Sequence, residues 1–261
     1  MTRALKDIVQ AITKFPMFII FTAWLDIRVR YRRSTLGPWW ITLSMIIFTA
    51  TLSIVYSRLM NEPLREFIPY LGVGYALWFM LSMCIIEGAN VFEREKAYVK
   101  QMNIPVSVYV LKLITRNLII FAHNFVVAVA LIIFFEIPIT AETLLFIPGL
   151  ILVLLNLYWV VMLLGILGAR YRDIPPIINS IIQVLFLASP IAWNAAKLGP
   201  HSKIVLFNPV TYALDLVRSP LLGHAPMGLS WIVGIVVFVI GMCFTLALLN
   251  RYRTRIPYWV G

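Results

Sequence analysis

The sequence has few charged residues and little of what disulfides or metal sites are built from. Only 13% of its 261 residues are charged, against roughly 25% in soluble globular domains, and 61% are hydrophobic. The two cysteines, Cys84 and Cys243, stand inside apolar runs without the spacing of metal ligands or of a disulfide framework. The composition is that of a membrane protein, and we interpret both cysteines as small hydrophobic residues.

The motifs of nucleotide and metal chemistry are also missing. No G-x-x-x-x-G-K-[ST] occurs, so we expect the chain to hydrolyse no nucleotide by itself. The three histidines are scattered and no H-E-x-x-H occurs, so neither a metal site nor another cofactor site is expected. No carboxylate lies well inside an apolar run, and Glu87 stands only at the edge of one. This pattern disfavours an ion-coupled transporter and leaves a membrane conduit that another protein drives.

Long apolar runs fill most of the sequence. A helix rises 1.5 Å per residue, so about 20 residues cross the roughly 30 Å hydrocarbon layer. We predict an all-α integral membrane protein with an N-terminal segment 1–36, a membrane domain 37–250 and a tail 251–261. Six transmembrane helices are predicted in the membrane domain, at about residues 37–57, 68–87, 105–135, 144–169, 174–196 and 227–250.

The distribution of basic residues predicts the orientation. Most of the 22 lysines and arginines lie in segments 1–36, 87–116, 170–173 and 251–261. The positive-inside rule places such segments in the cytoplasm, so both termini are expected there. The net charge of +11 has the same topological origin and does not indicate a nucleic-acid partner.

The N-terminal segment begins with an amphipathic pattern. Four apolar side chains follow the i, i+3, i+4, i+7 spacing of one helical face: Leu5, Ile8, Val9 and Ile12. The opposite face is polar, with Lys6, Asp7 and Gln10. We predict a helix that lies along the membrane surface. The apolar run FPMFIIFTAWL that follows has charged residues after it instead of a cleavage site, so no signal-peptide cleavage is expected.

The stretch DIRVRYRRSTLGPWW brings arginines close to tryptophans. Its arginines are Arg28, Arg30, Arg32 and Arg33. They are either topology anchors ahead of the first span or a phosphate-binding group, for which guanidinium is well suited. Gly37 is expected to end this segment and Pro38 to stand in the first helical turn of the span. Trp39 and Trp40 are expected at the level of the lipid headgroups.

Two connecting segments each allow two interpretations. Residues 87–103, EGANVFEREKAYVKQMN, have the i, i+3 charge pair Glu93 and Lys96, which suits a short exposed helix. This segment is either a solvated connector or a docking helix for a cytoplasmic partner. Residues 197–226 are apolar at their centre, and Asp215 and Arg218 have the spacing of an ion pair. We predict short broken helices there, either as a lid over a passage or packed on the outer surface.

Bases and aromatic residues also lie within the predicted spans. Lys112 and Arg116 are four residues apart, near the cytoplasmic end of the third span. They either snorkel to lipid headgroups or meet an anionic ligand from the inner leaflet. Aromatic side chains that either pack in the core or line a path for sugars are Tyr56, Trp78, Phe79, Phe186 and Trp193.

Three stretches, in this order along the chain, resemble a known family. They are DIRVRYRRSTLGPWW, GARYRDIPPIINSIIQVLFLASPI from Gly168, and NPVTYALDLVRSPLLG from Asn208. Together with the six-span pattern they resemble the permease subunit of polysaccharide-exporting ABC transporters, O-antigen exporters in particular. Relatives export capsular polysaccharide or teichoic acid. The resemblance spans nearly the whole chain.

The resemblance implies an assembly in the bacterial inner membrane. Two copies of this chain would pair with two copies of a cytoplasmic ATP-binding subunit, which would bind the ATP and Mg²⁺. The expected cargo is an undecaprenyl-pyrophosphate-linked polysaccharide, and membrane lipid is the expected surrounding. The chain itself is expected to be a transport subunit and no enzyme, with no nucleic-acid partner. The alternative is an ABC-type permease that exports a drug or a small lipid.

The resemblance also implies roles for particular residues. Coupling to the ATPase falls on the loop between spans 2 and 3, with Phe92, Glu93, Arg94, Glu95 and Lys96. A gate of short extracytoplasmic helices between spans 5 and 6 would contain Asn208, Tyr212, Asp215 and Arg218. The N-terminal helix would lie at the cytoplasmic interface, and we hypothesise that the arginines at 28–33 attract the pyrophosphate of the lipid carrier.

Overall fold

The computed structural model of the chain describes residues 3–37, 39–195 and 205–260. All regular secondary structure in these residues is helical, as predicted. The helices are α1 Arg3–Lys14, α2 Pro16–Arg30, α3 Trp39–Met60, α4 Leu64–Gly88, α5 Val91–Arg94, α6 Lys96–Gln101, α7 Ser107–Phe134, α8 Phe146–Arg170, α9 Ile174–Ala188, α10 Pro209–Leu221, α11 Gly228–Tyr252 and α12 Ile256–Trp259. A 3-10 helix, Ala141–Leu145, leads into α8.

Five of these helices are long and apolar enough to cross a membrane, namely α3, α4, α7, α8 with its 3-10 helix, and α11. They overlap five of the six predicted spans. A sixth span results if α1 and α2 are counted as one segment, which is bent by 75°. The chain is therefore a multi-pass membrane protein with five to six candidate spans in the residues that the structure describes.

The helix within the predicted span 174–196 is shorter than predicted. It has 15 residues, so at about 1.5 Å per residue it is about 22 Å long, less than the roughly 30 Å hydrocarbon layer. It ends at Ala188 because Ser189 is extended, with φ −96° and ψ 145°, as the proline that follows Ser189 requires. Residue 196 lies outside the described residues.

The N-terminal segment forms two helices where the amphipathic pattern predicted one surface helix. Phe15, with φ −122° and ψ 23°, separates them, and Pro16 stands at the first position of α2, where its missing N–H costs nothing. On α1 the apolar side chains Leu5, Val9 and Ile12 are exposed. This exposed apolar face is what a helix at the membrane surface needs, and that location stays a prediction.

The opposite face of α1 packs on the protein through small side chains. Ala4 and Ala11 are fully buried, and Asp7 between them is 4% exposed. Asp7 lies on the face opposite the apolar one, as predicted, but this face is buried there, and the Asp7 Oδ2 accepts hydrogen bonds from the backbone N–H and the hydroxyl of Ser107, at 3.0 and 2.7 Å. Ser107 begins α7, so Asp7 caps a helix 100 residues away in sequence.

The core lies along α4, which packs on α3, α7 and α8, while α8 packs in turn on α10 and α11. Lipid supplies no hydrophobic drive between helices, so close van der Waals contact has to hold them together. Glycines on α8 permit this contact: a Cβ on Gly168 would overlap the carbonyl oxygen of Ala89, and one on Gly149 that of Leu216. The turn before α5 and helix α10 therefore both lie directly against α8.

The two ends of the bundle have different compositions. At one end α1, the end of α2, α5, α6 and α12 meet, and the Ala4 N–H donates to Asn250 Oδ1 at 2.7 Å. We call this the basic end, since the four segments rich in lysine and arginine lie there. At the other, the α10 end, α10 packs beside α4 and the 3-10 helix that precedes α8.

Candidate functional site

Seven charged side chains meet at the basic end, between α2, α4, α7 and the α5–α6 turn. They are Asp26, Arg30, Glu87, Arg94, Glu95, Lys112 and Arg116. We call this group the charge cluster. It joins residues that the sequence pattern assigned to separate roles, because Arg30 belongs to the predicted phosphate group and Arg94 and Glu95 to the predicted coupling loop.

Glu87 stands at the centre of the charge cluster. This side chain is in the last turn of α4 and its residue is 5% exposed. Its Oε1 lies 3.5 Å from Arg30 Nη2 and 3.0 Å from Arg94 Nη1. Its Oε2 is paired with Arg116 and accepts from Asn117 Nδ2 at 3.2 Å. A single carboxylate thus connects α2, α5 and α7.

The two bases inside α7 are buried and paired with acids. Lys112 and Arg116 are 7% and 8% exposed. Lys112 Nζ lies 2.6 Å from Glu95 Oε1 and 3.1 Å from Asp26 Oδ2, and Arg116 also approaches Asp26 at 3.8 Å. Snorkelling to headgroups is therefore wrong for both side chains, and acids of the same chain occupy the positions proposed for an anionic ligand. Burial of a base is tolerated here because each has an acidic partner.

The predicted coupling loop divides into an anchored part and an exposed part. It forms α5 and α6, with a break at Glu95. Phe92 is 1% exposed and packs over Gly165 of α8, so this side chain is not accessible to a partner, contrary to the prediction. The exposed part includes Glu93 and Lys96, whose side chains are 3.4 Å apart and about half exposed.

The four arginines predicted to bind phosphate do not all have the same surroundings. All four arginines are exposed, and Arg30 differs in that its guanidinium also reaches Glu87. The segment ends at Gly37, whose φ of +56° lies in the left-handed region that glycine adopts without steric cost. Pro38 lies outside the described residues. Trp39 and Trp40, which follow it, are both exposed.

The five aromatic residues predicted to line a path do not share one cavity within the chain. A cavity of about 320 Å³ between α2, α3, α4 and α7 is lined by Phe79, and one of about 280 Å³ among α4 and α8 to α11 is lined by Trp78. Phe186 packs on Trp78, with ring centroids 5.8 Å apart. Trp193 donates its indole N–H to the last turn of α9 at 3.0 Å, and Tyr56 is half-buried on α3.

Two of the predicted gate residues fasten the start of α10. Asn208 Oδ1 accepts the Val210 N–H at 3.0 Å and so caps the helix, while its Nδ2 donates to Ser189 Oγ at 2.8 Å. The Tyr212 hydroxyl donates to the Leu206 carbonyl at 2.6 Å. These bonds hold α10 against the end of α9. Residues 197–204 of the predicted gate lie outside the described residues.

The other two gate residues do not bind each other, contrary to the predicted ion pair. Arg218 Nη1 donates to the Pro190 carbonyl at 2.7 Å, and its guanidinium lies 3.9 Å from the centre of the Tyr70 ring. Asp215 accepts from three neutral donors, which are the Ser219 hydroxyl at 2.6 Å, the Met227 N–H at 2.8 Å and the Ser230 hydroxyl at 2.5 Å. Each charge is thus satisfied by neutral groups.

Sequence reasoning did not assign Asp26, Glu87 or Asn117 to a site. The sequence did contain a clue to the acids. Two bases within an apolar span require acidic partners nearby, and the chain has only 11 acids from which to choose. Asp26 stands four residues before Arg30, and Glu87 stands at the end of a span. The pattern did not indicate that both would face α7.

Residues 17–222 match the ABC-2 type transporter family model. The chain belongs to the ABC-2 type transporter family. It is accordingly a transport subunit and not itself an enzyme. The matched residues include every member of the charge cluster and the whole of α10, so these features lie within the part of the chain that defines an ABC-2 type transporter.

Two relatives are similar along most of this ABC-2 type transporter. The "O-antigen export system permease protein RfbA" of Myxococcus xanthus is 22% identical over 201 residues, which cover 74% of this chain and 75% of the relative. The protein of the same name from Klebsiella pneumoniae is 20% identical over 252 residues, which cover 92% of this chain and 93% of the relative.

Proposed function

We propose that this chain is the channel-forming subunit of an ATP-driven exporter that moves lipid-linked polysaccharide, of the O-antigen class, across the bacterial inner membrane. The observation that carries the proposal is the similarity over 92% of the chain to a relative whose name assigns it to O-antigen export. Membership of the ABC-2 type transporter family supplies the transport role, and the relatives supply the class of cargo.

The proposed assembly contains two copies of this chain and two copies of a separate subunit that binds ATP and Mg²⁺. The ATP-binding subunits dock at the basic end, which faces the cytoplasm together with both termini. The concentration of lysine and arginine there supports this orientation. The exposed pair Glu93 and Lys96 lies on the proposed docking surface.

The charge cluster provides a route from the docking surface into the membrane helices. Arg94 is half exposed at that surface and its guanidinium ends on Glu87. Arg30 binds the same carboxylate oxygen from α2. A displacement of α5 by the ATP-binding subunit therefore pulls directly on α2, α4 and α7, because packed elements joined by ion pairs move together.

The exposed arginines of the N-terminal segment are the proposed contact for the carrier pyrophosphate. Arg28, Arg32 and Arg33 are exposed at the basic end, and guanidinium binds phosphate in a bidentate manner. Arg30 is assigned to the coupling route instead, since its guanidinium already lies 3.5 Å from Glu87. The phosphate contact and the coupling route thus use different arginines of one short segment.

Deletion of the gene in its host tests the proposed cargo. We expect loss of the long-chain surface glycan, its accumulation inside the cell, and recovery of both when the chain is supplied again; gel analysis of surface and total glycan measures this. Purification of the tagged chain is expected to recover an ATP-binding subunit as well. Unchanged surface glycan with altered drug sensitivity would instead indicate a permease for a drug or a small lipid.

Charge reversal tests the pyrophosphate contact. The double variant Arg32→Glu, Arg33→Glu should lower surface glycan at least about tenfold while the protein still inserts, because it repels the carrier phosphates. The control is Arg255→Glu, which changes an exposed arginine of the C-terminal segment at the same end of the bundle. Equal export by the double variant and the control would remove the phosphate role.

A further inference from the structure

The cavity between α2, α3, α4 and α7 contains a polar group that no described residue of the chain satisfies. Asn124, in the middle of α7, lines this cavity and is 1% exposed. Its Oδ1 is buried and has no hydrogen-bond partner among the residues that the structure describes. An unpaired buried acceptor costs free energy, and in a membrane no bulk water offsets this cost. The position of Asn124 therefore calls for a ligand with a donor.

The same cavity has an aromatic wall. Phe48 and Tyr75 stack with ring centroids 4.2 Å apart, and Phe79 continues the wall 6.4 Å from Tyr75. All three side chains line the cavity. An apolar wall with a few convergent polar groups is the usual composition of a small-molecule site. A pyranose ring is complementary to such a wall. Its apolar C–H faces can pack on the aromatic rings, and the hydroxyl groups around its rim can bind the polar side chains.

The charges around the cavity favour a neutral ligand. Among its lining residues that the structure describes, Arg30 is the one with a full charge, and Glu87 already binds it. The polar groups farther along the wall are the neutral side chains of Ser44, Asn117 and Asn124. Among the described lining residues an anion would find Arg30 alone, which already lies 3.5 Å from Glu87, whereas sugar hydroxyls match the amide and hydroxyl groups of the rest of the wall.

The second cavity provides an internal contrast. Its lining is apolar except for few groups, and Asn156 within it already donates to the carbonyls of Leu152 and Gly234, at 2.9 and 3.1 Å. A lipid chain could fill this second cavity without leaving a polar group unpaired. In the first cavity a lipid chain would leave the Asn124 oxygen without a hydrogen bond. The two cavities therefore differ in the chemistry that they accept.

We infer that the cavity at Asn124 is a subsite for one sugar residue of the transported glycan. The sugar stacks an apolar face on Tyr75 and Phe79 and donates a hydroxyl to Asn124 Oδ1. Its volume of about 320 Å³ is near the lower limit of the roughly 300–1,000 Å³ of small-molecule sites, which fits a single residue. The identity of the cargo rests on the proposed function, but sugar binding is measurable without it.

The subsite adjoins the charge cluster. Arg30 and Asn117 both line the cavity, and both also contact Glu87. Glu87 in turn binds Arg94 of the proposed docking surface. A sugar residue in the cavity is therefore separated by one side chain, Arg30 or Asn117, from the carboxylate that binds Arg94.

Saturation-transfer NMR on the full chain in phospholipid nanodiscs tests the subsite. The probes are a free hexose, a 6-deoxyhexose and an N-acetylhexosamine, each titrated against the wild-type protein. We expect transfer to the ring protons of at least one probe, and at least a tenfold weaker affinity in Asn124→Leu. The matched control is Thr49→Val, which removes a buried hydroxyl that also has no hydrogen-bond partner among the described residues but does not line the cavity, and it should bind as the wild type does.

A second pair of variants covers the case in which Asn124→Leu does not fold. Phe79→Leu should weaken binding at least fivefold because the stacking face is lost, while Phe186→Leu, which changes a ring outside the lining, should not. Absence of transfer from all three probes to the wild type overturns the inference, as does equal affinity in Asn124→Leu and Thr49→Val.

Further outcomes distinguish the sugar subsite from a lipid site and from the proposed cargo. Native mass spectrometry of the same samples counts bound phospholipid, and loss of a lipid in Asn124→Leu with unchanged sugar affinity would identify a lipid site and overturn the subsite. Asn124-dependent sugar binding together with unchanged surface glycan after gene deletion would refute the proposed cargo but keep the subsite. Intact export without sugar binding would refute the subsite alone.

Discussion

The basic end and the α10 end both bury charge, but they satisfy it differently. At the basic end three acids and four bases from α2, α4, α7 and the α5–α6 turn form a chain of ion pairs. At the α10 end Arg218 and Asp215 are three residues apart on one helix, yet each binds neutral groups. One end is a network of ion pairs in contact, and at the other two opposite charges on one helix make no ion pair in contact and are held by hydrogen bonds and an aromatic ring.

This difference has a physical consequence for the effect of a lost charge. In a network one ion compensates several others, so removal of the Glu87 carboxylate leaves the buried Arg116 and the half-exposed Arg30 and Arg94 without their shared counter-charge. An isolated ion with neutral partners leaves no opposite charge behind when it is removed, and the desolvation cost of burying it is recovered. The basic end should therefore be the more sensitive to substitution, which suits an end whose elements have to move together.

The largest expected effect is at the centre of the network. Glu87→Gln keeps the shape of the side chain but removes the charge that Arg30, Arg94 and Arg116 share, and we expect a loss of about 3–5 kcal/mol in the free energy of unfolding. Unfolding of the purified protein in mixed micelles measures it. The control Glu93→Gln, in the exposed pair with Lys96, should cost less than about 1 kcal/mol.

Comparable losses in Glu87→Gln and Glu93→Gln would contradict the network. They would mean that solvent screens the buried carboxylate as effectively as the exposed one. The ion pairs of Glu87 with Arg94 and Arg30 would then be too weak to join α5 to α2.

An intermediate effect is expected at the α10 end. Arg218→Met keeps most of the side-chain volume and removes the guanidinium. The Pro190 carbonyl keeps the Tyr70 hydroxyl within reach at 3.1 Å, although the one proton of this hydroxyl is shared with the Trp193 carbonyl, also at 3.1 Å. We therefore expect a loss of about 1–2 kcal/mol, mainly from one hydrogen bond and the contact with the Tyr70 ring, by the same unfolding measurement. Arg65→Met, in an exposed pair with Glu136, is the control.

A cost for Arg218→Met as large as that of Glu87→Gln would remove the contrast between the ends. It would indicate that Arg218 compensates a charge after all, and Asp215, on the same helix, would be the group left uncompensated.

The sequence predicted the helical class and the approximate position of the long spans because hydrophobic runs depend on the immediate neighbours of each residue. It predicted the partners of charged residues poorly. Lys112 and Arg116 were expected to reach lipid or a ligand, and Asp215 was expected to bind Arg218. Helical spacing identifies side chains on one face, but the partner is decided by which other helix packs there, and α2 reaches α7 only in the folded chain.

Proline chemistry explains two further differences. The break at Phe15 and the early end of α9 at Ala188 both come just before a proline, where the α conformation is disfavoured. Hydropathy alone does not register this effect, and so one surface helix and one full span were expected. Asn124 could not be recognised from the sequence either, because one asparagine in an apolar span becomes informative only when its lack of a partner is known.

The smallest expected effect separates charge from hydrogen bonding at the basic end. Asp7 lies outside the charge cluster and binds mainly Ser107, with Arg253 only at 4.0 Å. Asp7→Asn keeps an acceptor oxygen for the start of α7 and should cost less than about 1 kcal/mol, whereas Asp7→Ala, which removes the cap, should cost about 1–2 kcal/mol. Unfolding in mixed micelles again measures both variants.

The order of these two variants decides how far the network extends. If Asp7→Asn costs as much as Asp7→Ala, the charge itself stabilises the contact, and α1 belongs to the same electrostatic unit as Glu87. If the asparagine variant is nearly as stable as the wild type, as we expect, Asp7 behaves like Asp215 at the opposite end, where neutral donors satisfy a lone carboxylate. The contrast then lies between the Glu87 cluster and every other buried charge discussed, and not between the two ends of the bundle as such.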